Sequence, residues 1–253
     1  MREMTPTPAG PPPLTETEYW RDYDIIRNDV NAVMVSCYTQ RTINDVAAAD
    51  RKISQRLNRH PDFWRVTSFG LQNSLFIVLA RILDSDPKVH SIYQVLNATT
   101  AHPEFFSKAA LRARKLSIPG TEPDPPWLDE YVQDAWVPTV QDLRGLKKAL
   151  APHKAKFEDI YKPIRNQIAY IIFKEEQSVA SLYSRTLKAD IDEILCFLHG
   201  VIRAIWEMAY NAAEPKLNGD NYGYATRVAE ITKETEELLR ELPVRSSRKG
   251  ARL

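Results

Sequence analysis

An arginine and an asparagine, Arg165 and Asn166, stand side by side in a stretch that otherwise has the apolar spacing of a buried helix. Pro163 lacks a backbone N–H group, so a helix is kinked or restarted at that point. Irregular backbone beside charged and polar side chains in an apolar helix is typical of functional sites. The run PIRNQIAY ends on Tyr170, whose hydroxyl can donate or accept a hydrogen bond. We therefore take Arg165, Asn166 and Tyr170 as candidate site residues.

Composition and charge exclude several classes of protein. The chain has 253 residues, of which 43% are hydrophobic and 26% are charged, as is ordinary for a globular protein with a sizeable core. Its 34 lysines and arginines balance 33 acidic residues, so any basic surface for nucleic acid must be local. No window is apolar enough for a membrane helix, and the N-terminus does not have the pattern of a signal peptide. We therefore expect a cytoplasmic protein without a membrane partner.

The usual motifs of cofactor and metal sites are absent from the sequence. The eight glycines form neither a phosphate-binding loop nor a dinucleotide fingerprint. The five histidines are far apart, and no cysteine or histidine pair has the spacing of metal ligands. His199 has apolar neighbours and is predicted to be a hydrogen-bonded core histidine, while Cys37 and Cys196 are predicted to be free thiols. The sequence therefore predicts no cofactor and no metal.

Helical periodicity recurs along the chain, which predicts an all-α fold, a helical bundle with additional flanking helices. Thr15 and Glu18 form a capping-box pattern that opens a first helix, whose apolar face continues to Cys37. Segments 71–83 and 187–208 are predicted at the centre, because the first is apolar nearly all round and the second has a continuous apolar stripe. Pro61 is expected in the first turn of the helix that contains 71–83. The other predicted helices are 42–58, 88–98, 103–117, 128–136, 139–150, 152–173 and 224–241.

Three regions make up the predicted domain organisation. Residues 1–14 are expected to be a disordered, proline-rich N-terminus, since five prolines fall within the first 13 residues. Residues 15–242 are expected to form a single helical-bundle domain. Residues 243–253 carry four basic side chains and are expected to be a mobile tail.

A second polar pair lies at the end of segment 71–83. Arg81 and Asp84 are three residues apart, so they lie on neighbouring faces of one helix. Two interpretations stay open: a surface ion pair with a helix-terminal acid, or a polar cluster that supports the candidate site.

The run from Arg165 to Ala169 matches the first five positions of a signature in which an arginine and a polar residue precede Ala-His. This signature resembles that of HEPN domains (higher eukaryotes and prokaryotes nucleotide-binding), in the form found in the abortive-infection AbiU-like branch. The upstream run SLFIVLARILDSDPKVHSIYQVLNA, which ends at Ala98, is similar to the helix-plus-aspartate segment of that branch. The resemblance covers residues 20–212.

The resemblance implies a fold and an activity. HEPN proteins are helical bundles, often dimeric, and many are metal-independent ribonucleases of defence or toxin–antitoxin systems. In that mechanism the histidine transfers a proton at the ribose 2′-hydroxyl or the leaving oxygen, the arginine stabilises charge on the phosphate, and the polar residue orients it. The resemblance therefore implies phosphate-handling roles for Arg165 and Asn166, a homodimer, and RNA, an antitoxin or another protein as partner.

Tyr170 stands where this family has histidine, so the ribonuclease motif is degenerate. A free tyrosine has a pKa of about 10, about 3.5 units above that of histidine, so it is rarely deprotonated near pH 7. It can still donate a proton or hydrogen-bond a phosphate. At about 100° per residue, Arg165 and Tyr170 differ by roughly 140° around a regular helix, so they converge only in a distorted helix or across a dimer interface.

Three hypotheses stay open from the sequence. The first is a HEPN-like protein that acts on RNA as a metal-independent endoribonuclease with weakened or lost activity, in which Tyr170 imperfectly replaces histidine. The second is a catalytically silent bundle that binds RNA, a nucleotide or a protein partner. The third is an unrelated helical scaffold in which Arg165 and Asn166 bridge helices and Tyr170 packs in the core. Tyr170 favours the second hypothesis over the first, and the Arg165–Asn166 pair favours both over the third.

Overall fold

The computed structural model describes residues 14–123, 125–161, 188–217 and 221–242. Within these ranges every regular element is helical, which confirms the predicted all-α fold class. The α-helices of the described residues, numbered in chain order, are α1 (Glu16–Ala49), α2 (Arg51–Leu57), α3 (Pro61–Ile82), α4 (Ile92–Ala101), α5 (Lys108–Leu116), α6 (Leu128–Asp134), α7 (Val140–Lys156), α8 (Lys188–Asn211) and α9 (Tyr224–Glu241). Shorter helical turns cover Pro103–Phe106, Phe157–Tyr161 and Asn221–Gly223.

Helix α1 is central to the described part of the bundle, since it contacts five other helices, α2, α3, α4, α8 and α9. Its start is fixed by the predicted capping box. The Thr15 hydroxyl accepts a hydrogen bond from the Glu18 N–H (3.2 Å), and the Glu18 carboxylate accepts one from the Thr15 N–H (2.9 Å). Buried side chains then recur every three or four residues along the side that faces the core. They include Tyr19, Tyr23, Ile26, Val30, Val33, Met34 and Cys37.

The prediction of a separate helix over 42–58 is wrong, because α1 continues to Ala49 and only then gives way to the short helix α2. The break lies at Asp50, which has extended backbone dihedral angles. Its carboxylate accepts hydrogen bonds from the N–H groups of Lys52 (2.7 Å) and Ile53 (3.3 Å). Asp50 therefore stabilises the start of α2, which explains why the chain leaves the helical path there.

The two segments predicted at the centre differ in their burial. Helix α8 lies in the core as predicted, with Ile194, Leu198 and Ile205 fully buried. Helix α3 buries Leu79 completely, but Ile77 is 52% exposed. The prediction that 71–83 is a central helix therefore holds for one side of α3 only, because within the described ranges its main neighbour, α1, packs against that side.

Other predicted boundaries are also wrong. The helix predicted over 103–117 is interrupted at Ser107, which has an extended backbone. The helix predicted over 88–98 begins only at Ile92, because Ser91 has an extended backbone. The helices predicted as 139–150 and 152–173 are joined, since α7 continues through Pro152 to Lys156. Buried side chains on both sides of this proline, Leu150 and Phe157, hold the helix in place although one backbone hydrogen bond is lost. The part of the prediction that falls on 162–173 lies outside the described residues.

Apolar side chains form two clusters. The main one joins α1, α3, α4, α7, α8 and α9, and Leu14, the last residue of the predicted disordered N-terminus, packs against it. The smaller one joins α1, α2 and α9. Residues 1–13 and 243–253 lie outside the described residues, so the predicted disorder of both ends stays a prediction. None of the described helices is both long and apolar enough to cross a bilayer.

Replacing Leu79 or Leu198 by alanine should leave a cavity in the main cluster, because both side chains are fully buried. We expect the free energy of unfolding in urea to fall by about 2–5 kcal/mol in each variant. Leu238, which is 59% exposed on α9, provides the matched control. Leu238→Ala should change stability by no more than about 0.5 kcal/mol, and equal losses in all three variants would contradict this core.

Candidate functional site

The candidate residues Arg165, Asn166 and Tyr170 fall within 162–187 and lie outside the described residues. The described residues that flank this segment are Tyr161 and Lys188. The described geometry is therefore that of the side chains around these two flanking positions.

Tyr161, on the N-terminal flank, is fully buried. Its ring stacks on Phe157, with ring centroids 6.3 Å apart, and on Phe76 of α3, with centroids 6.1 Å apart. Burial raises the pKa of Tyr161 above its usual range, and the nearby Asp190 adds to this effect. The hydroxyl of Tyr161 is therefore a neutral group, and the ring holds the chain against α3 just before the candidate segment.

Lys188, on the C-terminal flank, is held by Arg41 of α1. The Arg41 guanidinium donates one hydrogen bond to the Lys188 carbonyl (3.1 Å) and another to the Asp192 carboxylate (2.5 Å). Asp192 also accepts a hydrogen bond from the Tyr38 hydroxyl (2.6 Å), and its backbone carbonyl accepts one from the Tyr224 hydroxyl (3.3 Å). We call these four side chains, Tyr38, Arg41, Asp192 and Tyr224, the Asp192 cluster.

The electrostatics of the Asp192 cluster make its tyrosines hydrogen-bond donors. Burial, and then the hydrogen bonds to Asp192 and Tyr224, raise the pKa of Tyr38 far above its usual value. Burial likewise raises the pKa of Tyr224. Both hydroxyls therefore stay protonated at any physiological pH, and the cluster joins α1, α8 and α9 rather than supplying a base.

A second group of charged residues joins α7 to the start of α8. Lys156 forms ion pairs with Glu193 (2.5 Å) and Asp190 (3.2 Å). The His153 ring stacks on Phe197, with centroids 4.1 Å apart, and its Nδ1 lies 3.7 Å from the Glu193 carboxylate. Burial lowers the pKa of His153, and the neighbouring Glu193 only partly opposes this, so the imidazole is mainly neutral near pH 7. No role was predicted for this histidine from the sequence.

Arg81 pairs with an acid on another helix. Its Nε donates to one oxygen of Asp29 in α1 (2.8 Å) and its Nη2 to the other (2.5 Å). Asp84 instead accepts a hydrogen bond from the Asp86 N–H (3.0 Å) in the turn that follows α3. The structure therefore gives Arg81 and Asp84 separate partners, and a supporting role of either residue at the candidate site stays a prediction.

Asp29 is a buried acid whose pairing with Arg81 was not predicted from the sequence, although a signal was present. It lies between Ile26 and Val33 on the apolar side of α1, and it is 9% exposed. A carboxylate on a buried helix face requires a cation or several hydrogen-bond donors nearby. The position of this acid in the apolar stripe could thus have predicted a basic partner on a neighbouring helix.

The described residues contain no group of three or more histidine, cysteine, aspartate or glutamate side chains arranged to hold a metal ion. Cys37 is a free, buried thiol whose pKa is raised to about 11 by burial, and Cys196 is half-buried. The buried Cys37 thiol lacks the exposure of a reactive cysteine.

The described fold places the protein in the class of all-α helical bundles. The family model HEPN_AbiU2, described as AbiU2, matches residues 18–169, more than half of the chain. The protein therefore belongs to the AbiU2 family of HEPN proteins. The match includes Arg165 and Asn166 and ends one residue before Tyr170. No curated protein and no solved structure matches the chain.

Replacing Arg81 by methionine should destabilise the bundle, because the carboxylate of Asp29, whose side chain is 13% exposed, would lose its cation. We expect the free energy of unfolding in urea at neutral pH to fall by about 1–3 kcal/mol. Asp84→Asn should change it by no more than about 0.5 kcal/mol. The double variant Asp29→Asn/Arg81→Met should lose less than the sum of the two single losses, because the pair is coupled. Additive losses would show that the pair contributes nothing.

Proposed function

We propose that this AbiU2-family protein is a defence protein of the abortive-infection or toxin–antitoxin type that acts on RNA through Arg165, Asn166 and Tyr170. The observation that carries the proposal is the family match, which extends over Arg165 and Asn166. A guanidinium presents a fixed fork of N–H donors that suits the anionic oxygens of a phosphate, particularly as charge develops in a transition state. The adjacent asparagine amide can orient either the guanidinium or the phosphate.

The described flanks support the proposal because a reacting group must be held in a defined position. Tyr161 before the segment is buried and stacked, and Lys188 after it is bound to Arg41. The groups around Asp192 and Lys156 add hydrogen bonds and ion pairs on the helices next to both flanks. Rigid flanks of this kind limit the positions that the intervening segment can take.

A second candidate function, binding without cleavage, is favoured by Tyr170. Efficient proton transfer near pH 7 requires a group whose pKa lies near that pH, and a tyrosine hydroxyl does not meet this requirement. The protein would then bind RNA, a nucleotide or a protein partner with Arg165 and Asn166 and cleave nothing. The two functions differ in a single measurable property, the rate of RNA cleavage.

We expect the natural protein to show little or no RNA cleavage in the presence of a metal chelator. Tyr170→His should raise the cleavage rate by about 10²-fold, since a positioned acid–base group contributes at least this much. Adding Arg165→Ala to that variant should abolish the gain, because the phosphate loses its charged partner. The measurement is the cleavage rate of a labelled single-stranded RNA followed by gel electrophoresis.

Tyr170→Phe serves as the control for the same experiment, because it removes only the hydroxyl group. It should not raise cleavage above the natural level. RNA binding should weaken with added salt, since phosphate contacts release counterions. If Tyr170→His leaves cleavage unchanged and Arg165→Ala leaves RNA binding unchanged, the motif is structural and the proposal is wrong.

We also propose that the protein is a homodimer in which the outward side of α3 packs against the same side of a second copy. Four exposed apolar side chains lie there: Phe63 (63% exposed), Val66 (69%), Phe69 (56%) and Ile77 (52%). The spacing of Phe63, Val66, Gly70, Asn73 and Ile77 is that of a heptad seam. We call this surface the α3 outer face. An apolar face of this kind usually marks an interface with another molecule.

Two details favour a second copy as the occupant of the α3 outer face. Gly70 lies in its middle, with no atom within 4 Å of the position where a Cβ would be, so nothing in the described chain requires a glycine in this helix. A closely packed partner helix would account for it. In an antiparallel pair where Val66 faces Ile77 of the other copy, Asp62 faces Arg81, so opposite charges meet.

Light scattering at micromolar concentration should give about twice the chain mass of 29.0 kDa. Val66→Glu should give a monomer, because a carboxylate would be buried in the interface. Leu238→Glu on α9, whose leucine is 59% exposed, is the matched control and should leave the dimer intact. A natural protein that is strictly monomeric, or a dimer that survives Val66→Glu, would contradict this interface. If the natural protein is a monomer and Val66→Glu lowers its stability, this would indicate that residues 162–187 of the same chain cover the α3 outer face.

A further inference from the structure

A small pocket lies between α1, α8 and α9, on described residues that the family motif does not include. Its volume is about 230 Å³. Six of its lining residues carry side chains that can bind an anion: Arg27, Asn28, Asn31, His199, Arg203 and Arg227. We call it the Arg203 pocket. The described lining residues include no carboxylate, so the pocket is locally basic in a chain whose net charge is only +1.

The three arginines of the pocket have carboxylate partners, but each partner lies on the same helix as its arginine. Arg27 pairs with Asp24 (3.3 Å), Arg203 with Glu207 (3.2 Å) and Arg227 with Glu230 (3.1 Å). Exposed pairs of this kind are weak and are screened by salt. A guanidinium has five N–H donors, so one such pair leaves donors of each arginine available to a ligand.

Arg203 provides a more direct indication of a ligand. Its Nε–H is buried and has no hydrogen-bond partner within the described part of the chain. Buried donors in native proteins are nearly always paired, and an unpaired one requires an explanation such as an absent ion. The guanidinium also lies over the Trp206 ring, 5.0 Å from its centroid, which fixes its orientation. Because the Nε–H is shielded from solvent, an anion in the pocket would contact the outer N–H groups of Arg203 and would reach the Nε–H only after a small shift of the guanidinium.

The other basic side chains are also held in position before any ligand binds. The Nε and Nη2 of Arg227 donate to the Asn31 side-chain oxygen, at 3.3 and 3.2 Å. His199 hydrogen-bonds through its Nε2 to the Tyr222 carbonyl (3.3 Å), so the histidine predicted to lie in the core instead sits half-buried at the pocket. Preorganised donors bind an anion at a smaller entropic cost than mobile ones.

We propose that the Arg203 pocket binds a phosphate group. A phosphate monoester carries close to two negative charges at pH 7 and several strong acceptor oxygens, which match a cluster of three guanidinium groups. A volume of about 230 Å³ holds one phosphate with part of its sugar but not a nucleic-acid duplex. A free mononucleotide and the 5′ end of an RNA present the same chemistry. The described lining residues do not belong to the family motif, and the proposal does not depend on cleavage.

The test uses the full-length protein and a substitution that changes the charge of a side chain but not its shape. Asn28 is exposed and lines the pocket, so Asn28→Asp places a carboxylate there. Asn44→Asp makes the same change at an exposed position of α1 that is not a lining residue, and it serves as the matched control. Thermal unfolding followed by circular dichroism should give the same midpoint for both variants. Arg203→Gln, which removes the unpaired donor, is the second pocket variant.

Calorimetry should detect binding of adenosine monophosphate but not of adenosine, because the phosphate provides the charge. Asn28→Asp and Arg203→Gln should each weaken this binding by about 10-fold or more, which is the factor that 1.4 kcal/mol of lost interaction produces. Asn44→Asp should leave it unchanged. Higher salt should weaken it in every variant that binds.

A second arm distinguishes the sources of the phosphate. Fluorescence anisotropy compares a short RNA with a 5′-phosphate and the same RNA with a 5′-hydroxyl. Tighter binding of the phosphorylated RNA, lost in Asn28→Asp, supports an RNA end as the ligand, while equal binding together with a mononucleotide signal supports the free nucleotide. The proposal is overturned if neither ligand binds, or if Asn28→Asp and Arg203→Gln bind as the natural protein does.

Discussion

The buried guanidinium of Arg114 holds α8 against the start of α1, and the positions of the other polar groups depend on this contact. The side chain is only 7% exposed. Its Nε and Nη2 donate to the Ala209 carbonyl (3.1 and 2.9 Å), and its Nη1 donates to the Phe105 carbonyl (2.8 Å) and pairs with the Glu16 carboxylate. Because the last carbonyls of a helix have no partner within it, a cation here satisfies the C-terminal end of α8 and interacts favourably with its dipole. Two aromatic rings, one on α1 and one on α8, lie 5.7 and 5.5 Å from the guanidinium.

The opposite end of α8 is held by the Asp192 cluster, so the helix is fixed to α1 at two places. Asp192 and Ala209 are separated by about 26 Å along a regular helix. Arg203 lies between them. The contacts at both ends of α8 therefore determine the position at which Arg203 faces α1. The same constraint places Lys188, and with it the C-terminal flank of the candidate segment. The packing of α8 on α1 thus positions both the Arg203 pocket and the C-terminal flank of the candidate segment, although the two share no residue.

The features that were predicted correctly from the sequence are those that depend on residues close to one another in the chain. Helix α9 was predicted over 224–241 and is found at Tyr224–Glu241, because its amphipathic spacing and the following proline are local signals. The break between the first two helices was predicted before residue 42 but lies at Asp50, because a single capping residue is a weaker signal than the apolar spacing around it. The Arg203 pocket could not be predicted at all. Arg27, Arg203 and Arg227 come from three helices, and no spacing in the sequence relates residues so far apart.

The tyrosines of the bundle indicate what a tyrosine can contribute in this fold. Tyr19 bonds Thr99 (2.7 Å), Tyr23 donates to the Ile202 carbonyl (2.9 Å), and burial raises the pKa of both tyrosines. Each is a neutral hydroxyl that holds one helix against another. A tyrosine at position 170 would bring the same property to the motif, a hydroxyl that donates a hydrogen bond and does not take a proton near pH 7. A phosphate oxygen accepts such a bond readily, so under the proposed function the replacement of histidine would preserve RNA binding more completely than RNA cleavage.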